Sequence, residues 1–183
     1  MRAHDPFHAI FAATEAHRAW HGCWAYPFGD GPALGVLAAA AGATRILELG
    51  TALGYTACWF AHGAPRAKID TVERDAEHVA LARANIAASG FAARVCVLHG
   101  DFSDEMARLS PGYGMAFFDG YAPKPSDLEA LRALLRPGGV LIAANLDLSD
   151  EGAAECRAEI TRPGRWLTSF MAEFGRTAVC IKL

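Results

Sequence analysis

The chain is 183 residues long, about one domain, with 52% hydrophobic and 20% charged residues, the balance of a globular protein with a sizeable core. A net charge of −3 and the lack of a dense Lys/Arg run argue against a nucleic-acid partner gripped by its phosphates. No stretch approaches the ~18 apolar residues of a membrane span, and MRAHDPFHAI lacks the pattern of a signal peptide, so no membrane partner is expected.

Residues 1–44 carry His4, His8, His17 and His21 together with Trp20, Trp24 and Tyr26. His4 and His8 are spaced to share a helix face, as are His17 and His21. In the sequence no carboxylate or cysteine is seen to complete a metal set there, so the segment is expected to be a helical cap over the sheet edge or a substrate mouth. From residue 45 onward, short apolar runs alternate with helical patterns.

Arg45 to Gly50 predicts a first strand, followed by a helix from about Tyr55 to Ala61. Lys68 to Glu73 predicts the second strand and Ala76 to Ala88 a helix, with Gly90 beyond it as a stop. Arg94 to His99 predicts a third strand, with a short helix near Ser103 to Leu109, and Met115 to Asp119 a fourth. A helix opening at Pro125 and Ser126 ends before Arg136-Pro137-Gly138-Gly139, read as a turn. Val140 to Ala144 predicts the fifth strand, and Ser149-Asp150-Glu151 a helix start. Trp166 to Met171 and Thr177 to Leu183 predict a closing hairpin around Gly175.

Five β-then-α units imply an α/β, doubly wound, Rossmann-like sheet with helices on both faces. The expected sheet is seven-stranded and mostly parallel, with one antiparallel strand from the edge hairpin. A single domain spans 1–183, its α/β core being 45–183. The five cysteines are odd in number, scattered and without a C-x-x-C pair, and Cys96 and Cys180 read as buried strand thiols. That usage suits a reducing compartment, the cytoplasm.

The stretch Glu48-Leu49-Gly50-Thr51-Ala52-Leu53-Gly54-Tyr55-Thr56 joins the first strand to the first helix, where open α/β sheets bind ligands. Gly50 permits a tight turn, and Gly54 opens a helix whose free N–H groups favour an anion. Glu73 ends the second strand, where an acid can accept both hydroxyls of a ribose. The spacing lacks the third glycine of a dinucleotide loop, so a nucleoside ligand without a diphosphate is favoured over a nicotinamide cofactor.

ILELGTALGYTA resembles motif I of the class I methyltransferases, in particular the small O-methyltransferases of the catechol and caffeoyl-CoA type. The resemblance continues through TVERD, HGDF, AFFDG and LLRPGGVLIAAN, covering roughly residues 30–183 in order. It implies S-adenosylmethionine as cofactor and a small-molecule methyl acceptor. Gly50, Thr51 and Gly54 would line its methionine moiety, with Tyr55 and Thr56 near the carboxylate and Glu48 within the same motif. Glu73 would hold the ribose, Arg74 would flank the adenine, and Asp101 and Phe102 would meet its edge. Asp119 would lie at the mouth, beside the sulfonium and the acceptor.

Two departures stand out. Metal-dependent relatives carry an Asp after the fourth strand and an Asp-Asn pair after the fifth. Here Asp119 matches the first, but the pair reads Ala144-Asn145, and only Asp147 lies near, so the divalent metal lacks its ligand set and none is assigned. The lysine base of those relatives falls at Ala122, leaving Lys124 as a shifted catalytic candidate, with Tyr121 in the same loop. The expected function is therefore O-methylation of a small molecule without the family's metal. N-methylation and a non-catalytic cofactor-binding module are the alternatives. A homodimer is the base-rate expectation for such families.

Overall fold

The computed structural model of the chain describes residues 5–121, 123–147, 150–172 and 175–183. Two helices, α1 (His8–His21) and α2 (Gly31–Ala40), precede the sheet. The elements then alternate as β1 (Arg45–Leu49), α3 (Tyr55–Gly63), β2 (Lys68–Glu73), α4 (Ala76–Ala88), β3 (Val95–His99), α5 (Phe102–Arg108) and β4 (Tyr113–Phe118). They continue with α6 (Pro125–Leu134), β5 (Leu135–Ala143), α7 (Asp150–Ile160), β6 (Trp166–Ala172) and β7 (Thr177–Lys182). His4, Ala122 and Ser149 lie outside the described residues.

The seven strands run in the order β3-β2-β1-β4-β5-β7-β6. β1 to β5 pair in parallel, and β7 runs antiparallel to both β5 and β6. The antiparallel strand is thus inserted beside β5, and β6 forms the outer edge. Strand alternation splits the core in two. Ile46, Ile69, Met115, Phe117 and Ile142 pack under α2, α3 and α4. Leu47, Leu49, Val72, Ala116, Phe118 and Leu141 pack under α6 and α7 on the other face.

Two expectations are corrected. Arg136-Pro137-Gly138-Gly139 is not a separate turn, because α6 passes directly into β5 at Leu135. The Pro-Gly pair is absorbed as an irregularity in β5, where pairing with β4 shifts register between Tyr113 and Met115 and Gly138 takes φ +71°. Cys96 is exposed rather than buried, because β3 is an edge strand: Val95 and Val97 point into one core and Leu98 packs partly against the other, while Cys96 is left at the surface. Cys180 is buried.

Candidate active site

β1 lies between β2 and β4, so successive connections leave it on opposite sides and the crevice opens beyond its carboxyl end. There the chain turns through Gly50 at φ +106°, where a Cβ would stand 2.5 Å from the Asp119 carbonyl oxygen. The Asp119 amide donates to the Leu49 carbonyl (2.9 Å), locking the end of β4 to the same turn. Ala52 is left-handed (φ +46°) although it carries a Cβ, and its amide donates to Glu73 Oε2 at 2.9 Å, which holds it there. Gly54, at φ +91°, caps α3 without a side-chain hydrogen bond, leaving the first amides of that helix open to an anion.

Glu48 lies beneath the loop and is fully buried. Its carboxyl receives the Thr56 hydroxyl and, at 2.5 Å, that of Thr71, which in turn meets the Thr51 hydroxyl at 2.5 Å. Burial pushes the Glu48 carboxyl up to about 8, against the pull of the Thr56 and Thr71 hydrogen bonds and with help from the nearby Asp119 and Glu73 charges. The side chains of Thr51 and Thr56 are therefore engaged below the loop, and the loop faces a ligand with backbone. Tyr55 also lines this crevice, with its hydroxyl donating to Asp5 Oδ2 at 2.8 Å and its ring meeting Phe11.

At the end of β2, Glu73 accepts from the amides of Ala52 and Asp75, both at 2.9 Å, and stands 3.8 Å from His78 Nδ1. Burial opposes its charge, but the hydrogen bonds from His78, Asp75 and Ala52 outweigh it and hold the carboxyl below the ordinary range. The Glu73 hydrogen bond in turn lifts His78 to about 9 against the effect of burial. Arg74 and Asp101 face one another at 3.9 Å on the exposed rim, and Phe102 sets its ring edge-on to Phe118 at 5.7 Å.

Beyond β4, Asp119 Oδ1 accepts from Asn145 Nδ2 at 3.0 Å, and the same nitrogen donates to the Gly120 carbonyl at 2.6 Å. Both partners are acceptors, so the nitrogen of that amide must be the atom facing them. Asn145 holds this pose in the left-handed region, at φ +61°. Ala144 is buried and Asp147 is exposed. Lys124 is the exposed N-cap residue of α6, its amide donating to Asp127 Oδ2 at 3.1 Å. Across the crevice, the exposed rings of Trp24 and Tyr121 meet edge-on at 6.2 Å, with Tyr26 6.5 Å from Trp24. Thr14, Tyr26, Pro27 and Phe28 close over Gly50, Thr51, Leu53 and Asp119, leaving a cavity of about 10 Å³, near the volume that admits one water molecule.

The fold thus gathers Glu48, Gly50, Thr51, Gly54, Glu73 and Asp119 around one crevice, with Arg74, Asp101 and Phe102 along its rim. It sets Lys124 at a helix end and engages the Tyr55 hydroxyl with Asp5. Thr71 escaped the sequence reading. Its signal was a threonine facing Glu48 in strand register, which only the pairing of β1 with β2 reveals.

This architecture has close counterparts. The O-methyltransferase of Bacillus cereus, solved with S-adenosylhomocysteine, superposes with a TM-score of 0.79 at 23% identity, over 96% of this chain and 91% of that one. In sequence, the catechol O-methyltransferase of Mycobacterium tuberculosis is 34% identical over 122 residues, 64% of this chain and 54% of that protein. The catechol O-methyltransferase of Niastella koreensis is 36% identical over 126 residues, 64% of this chain and 56% of that protein. The chain spans about half the length of these curated relatives. The methyltransferase-domain profile matches residues 47–145, from the middle of β1 to the asparagine that holds Asp119, and the chain belongs to that family.

Proposed function

We propose that the chain transfers a methyl group from S-adenosylmethionine to a hydroxyl of a small aromatic acceptor in the cytoplasm. The observation that carries the reading is Glu73, a carboxylate held charged at the switch point by an amide of the very loop that turns at Gly50. An acid so placed suits a ribose diol, and its lone pairs exceed the donors already bound to it. The open amides at the start of α3 suit the methionine carboxylate. Gly50, Thr51, Gly54, Tyr55 and Thr56 would contribute mainly backbone, while Glu48 positions the loop from below. Arg74, Asp101 and Phe102 would border the adenine. Bound there, the cofactor supplies an electrophilic methyl group on a sulfonium. Seating it requires the Tyr26–Phe28 segment to move outward from Gly50, since the present cavity is far too small.

Asp119 would accept the hydrogen bond of the acceptor hydroxyl, its own orientation fixed by Asn145. Exclusion of water and alignment of the two reactants carry the rate. The exposed Trp24 and Tyr121 rings would flank a planar acceptor, in keeping with the names of the catechol O-methyltransferase relatives. The family's divalent cation has no part in this reading. Ala144 stands where the second carboxylate would be, and Asn145 presents a donor nitrogen rather than an oxygen to Asp119. Lys124, exposed at a helix end, is a solvated lysine in this account.

Calorimetric titration with S-adenosylhomocysteine, with and without magnesium, tests the proposal. Saturable one-site binding in both conditions is expected, followed by turnover on a panel of catechols and phenols. Absence of binding in both conditions overturns it.

A further inference from the structure

The mouth of the crevice is bordered by a cluster that the methyl-transfer reading does not use. α1 ends at His21, Gly22 takes a left-handed φ of +61°, and the chain doubles back to bring Cys23 beside His17. From the first turn of α4, His78 reaches the same point: its Nε2 lies 3.2 Å from His17 Nε2. The ligand atoms of His17, Cys23 and His78 all lie within 4.8 Å of one another. His21 stacks on His17 with ring centres 4.2 Å apart, and His17, His21 and Glu77 form a second such group at the rim.

We propose that His17, Cys23 and His78 form a site for a borderline-soft divalent metal ion, zinc above all, that clips the end of α1 to α4 behind Glu73.

The geometry suits that ion. With zinc–nitrogen bonds of about 2.0–2.1 Å at a tetrahedral angle, two ligating nitrogens stand roughly 3.3 Å apart. The two Nε2 atoms are at 3.2 Å already. The Nε2 atoms of the two imidazoles meet there, and the Cys23 thiol lies within 4.8 Å of a ring nitrogen of each. The Nδ1 of His78 faces Glu73 at 3.8 Å, longer than a hydrogen bond but on the side from which a carboxylate orients a metal-bound histidine. One sulfur and two nitrogens select zinc or cobalt over magnesium or calcium, which want oxygen ligands. His78 is buried and the other two are half-buried, so the ion enters from the side of α1, past the exposed His21 and Glu77. Three protein ligands leave the fourth position to water. Binding displaces the Cys23 thiol proton and any proton on the ligating ring nitrogen of His78, the thiolate and the neutral imidazole being the ligands.

The ion would be held by residues from three segments: α1, the loop after it and α4. It would therefore fix the approach of the loop leading to Tyr26 and Phe28, the residues closing over Gly50. The family's own carboxylate metal position, beyond β4 and β5, is separate from this cluster.

Cobalt titration of the chelator-stripped protein tests the site, with zinc as competitor. One equivalent of cobalt is expected to bind, with a near-ultraviolet thiolate-to-cobalt charge-transfer band that zinc abolishes. Cys23→Ser should lose the band and weaken binding at least about ten-fold, and His17→Gln should weaken it by a similar factor. Cys96→Ser, which alters the exposed thiol of β3, should change neither. Circular dichroism establishes that each variant is folded. Failure of the folded wild-type protein to bind cobalt, binding without the band, or a band that survives Cys23→Ser overturns the proposal, and then His17 and His78 are a hydrogen-bonded imidazole pair. None of these readouts involves S-adenosylmethionine, so the outcome is independent of the methyl-transfer reading.

Discussion

Gly50 and Asp119 stand back to back: a Cβ on the first would lie 2.5 Å from the carbonyl oxygen of the second. The turn after β1 and the end of β4 are therefore one unit, and a perturbation of either moves both. Gly50→Ala forces a side chain into a φ of +106° and into that contact. The conformational cost is about 1–2 kcal/mol and overpacking adds about 1–3 kcal/mol. Urea unfolding should show a loss of that size, and calorimetry should show S-adenosylhomocysteine affinity falling by more than about ten-fold.

Glu48 makes the stability pH-dependent in an unusual direction. Its carboxyl is lifted from 4.5 to about 8 in the folded protein, so across that interval the unfolded chain has released the proton while the folded one retains it. Its contribution is present in full below 4.5 and is lost as pH rises toward about 8. Glu48→Gln keeps an acceptor for Thr56 and offers a donor to Thr71 without the ionisation. Melting temperatures of variant and wild type should converge near about pH 5 and separate by several degrees in the variant's favour near about pH 9. A constant difference across that range would contradict the assignment.

Glu73 is a claim about binding rather than folding. Glu73→Gln retains the side-chain volume but replaces a charge-assisted acceptor worth about 1.5–3 kcal/mol. S-adenosylhomocysteine should bind roughly 10–100-fold more weakly, while the melting temperature falls only modestly. Equal affinity in variant and wild type would remove the ribose role.

The sequence made the sheet legible because a doubly wound fold repeats one signal: short apolar runs such as Ile46-Leu47 and the helical pattern of Ala76 to Ala88 each read alone. It misled where one chemistry has two uses. Arg136-Pro137-Gly138-Gly139 carries turn residues, yet pairing with β4 draws them into β5 as an irregular start. Cys96 sits among valines, yet its strand is the sheet edge. Around the site, residues contiguous in the glycine loop were visible, but contacts made across the fold were not. Thr71 joins Glu48 only through strand pairing, and His78 joins His17 only when α4 packs beside α1.

Trp24 is 79% and Tyr121 62% exposed and their rings meet at 6.2 Å, a large apolar area to leave open two residues along from Asp119 unless something planar covers it. Trp24→Ala should raise the KM for an aromatic acceptor by roughly 10-fold, with S-adenosylhomocysteine affinity unchanged. A fall in kcat with no change in KM would place Trp24 elsewhere in the cycle.

Asn145 separates a hydrogen-bonded Asp119 from a metal-bound one. Its amide nitrogen bridges Asp119 Oδ1 and the Gly120 carbonyl, so Asn145→Ala takes this donor from both the carboxylate and the carbonyl and weakens the hold on the Asp119 orientation. The loss of about 1–3 kcal/mol of orientation should appear as a 10–100-fold lower kcat, with cofactor affinity little changed. Magnesium should alter the wild-type rate by less than about two-fold and should not restore the variant, because one carboxylate gives a hard cation too few oxygen ligands. Strong magnesium activation of the wild type would mean that Asp119 and a neighbour such as Asp147 do bind a cation, and that the amide of Asn145 turns its oxygen inward when they do.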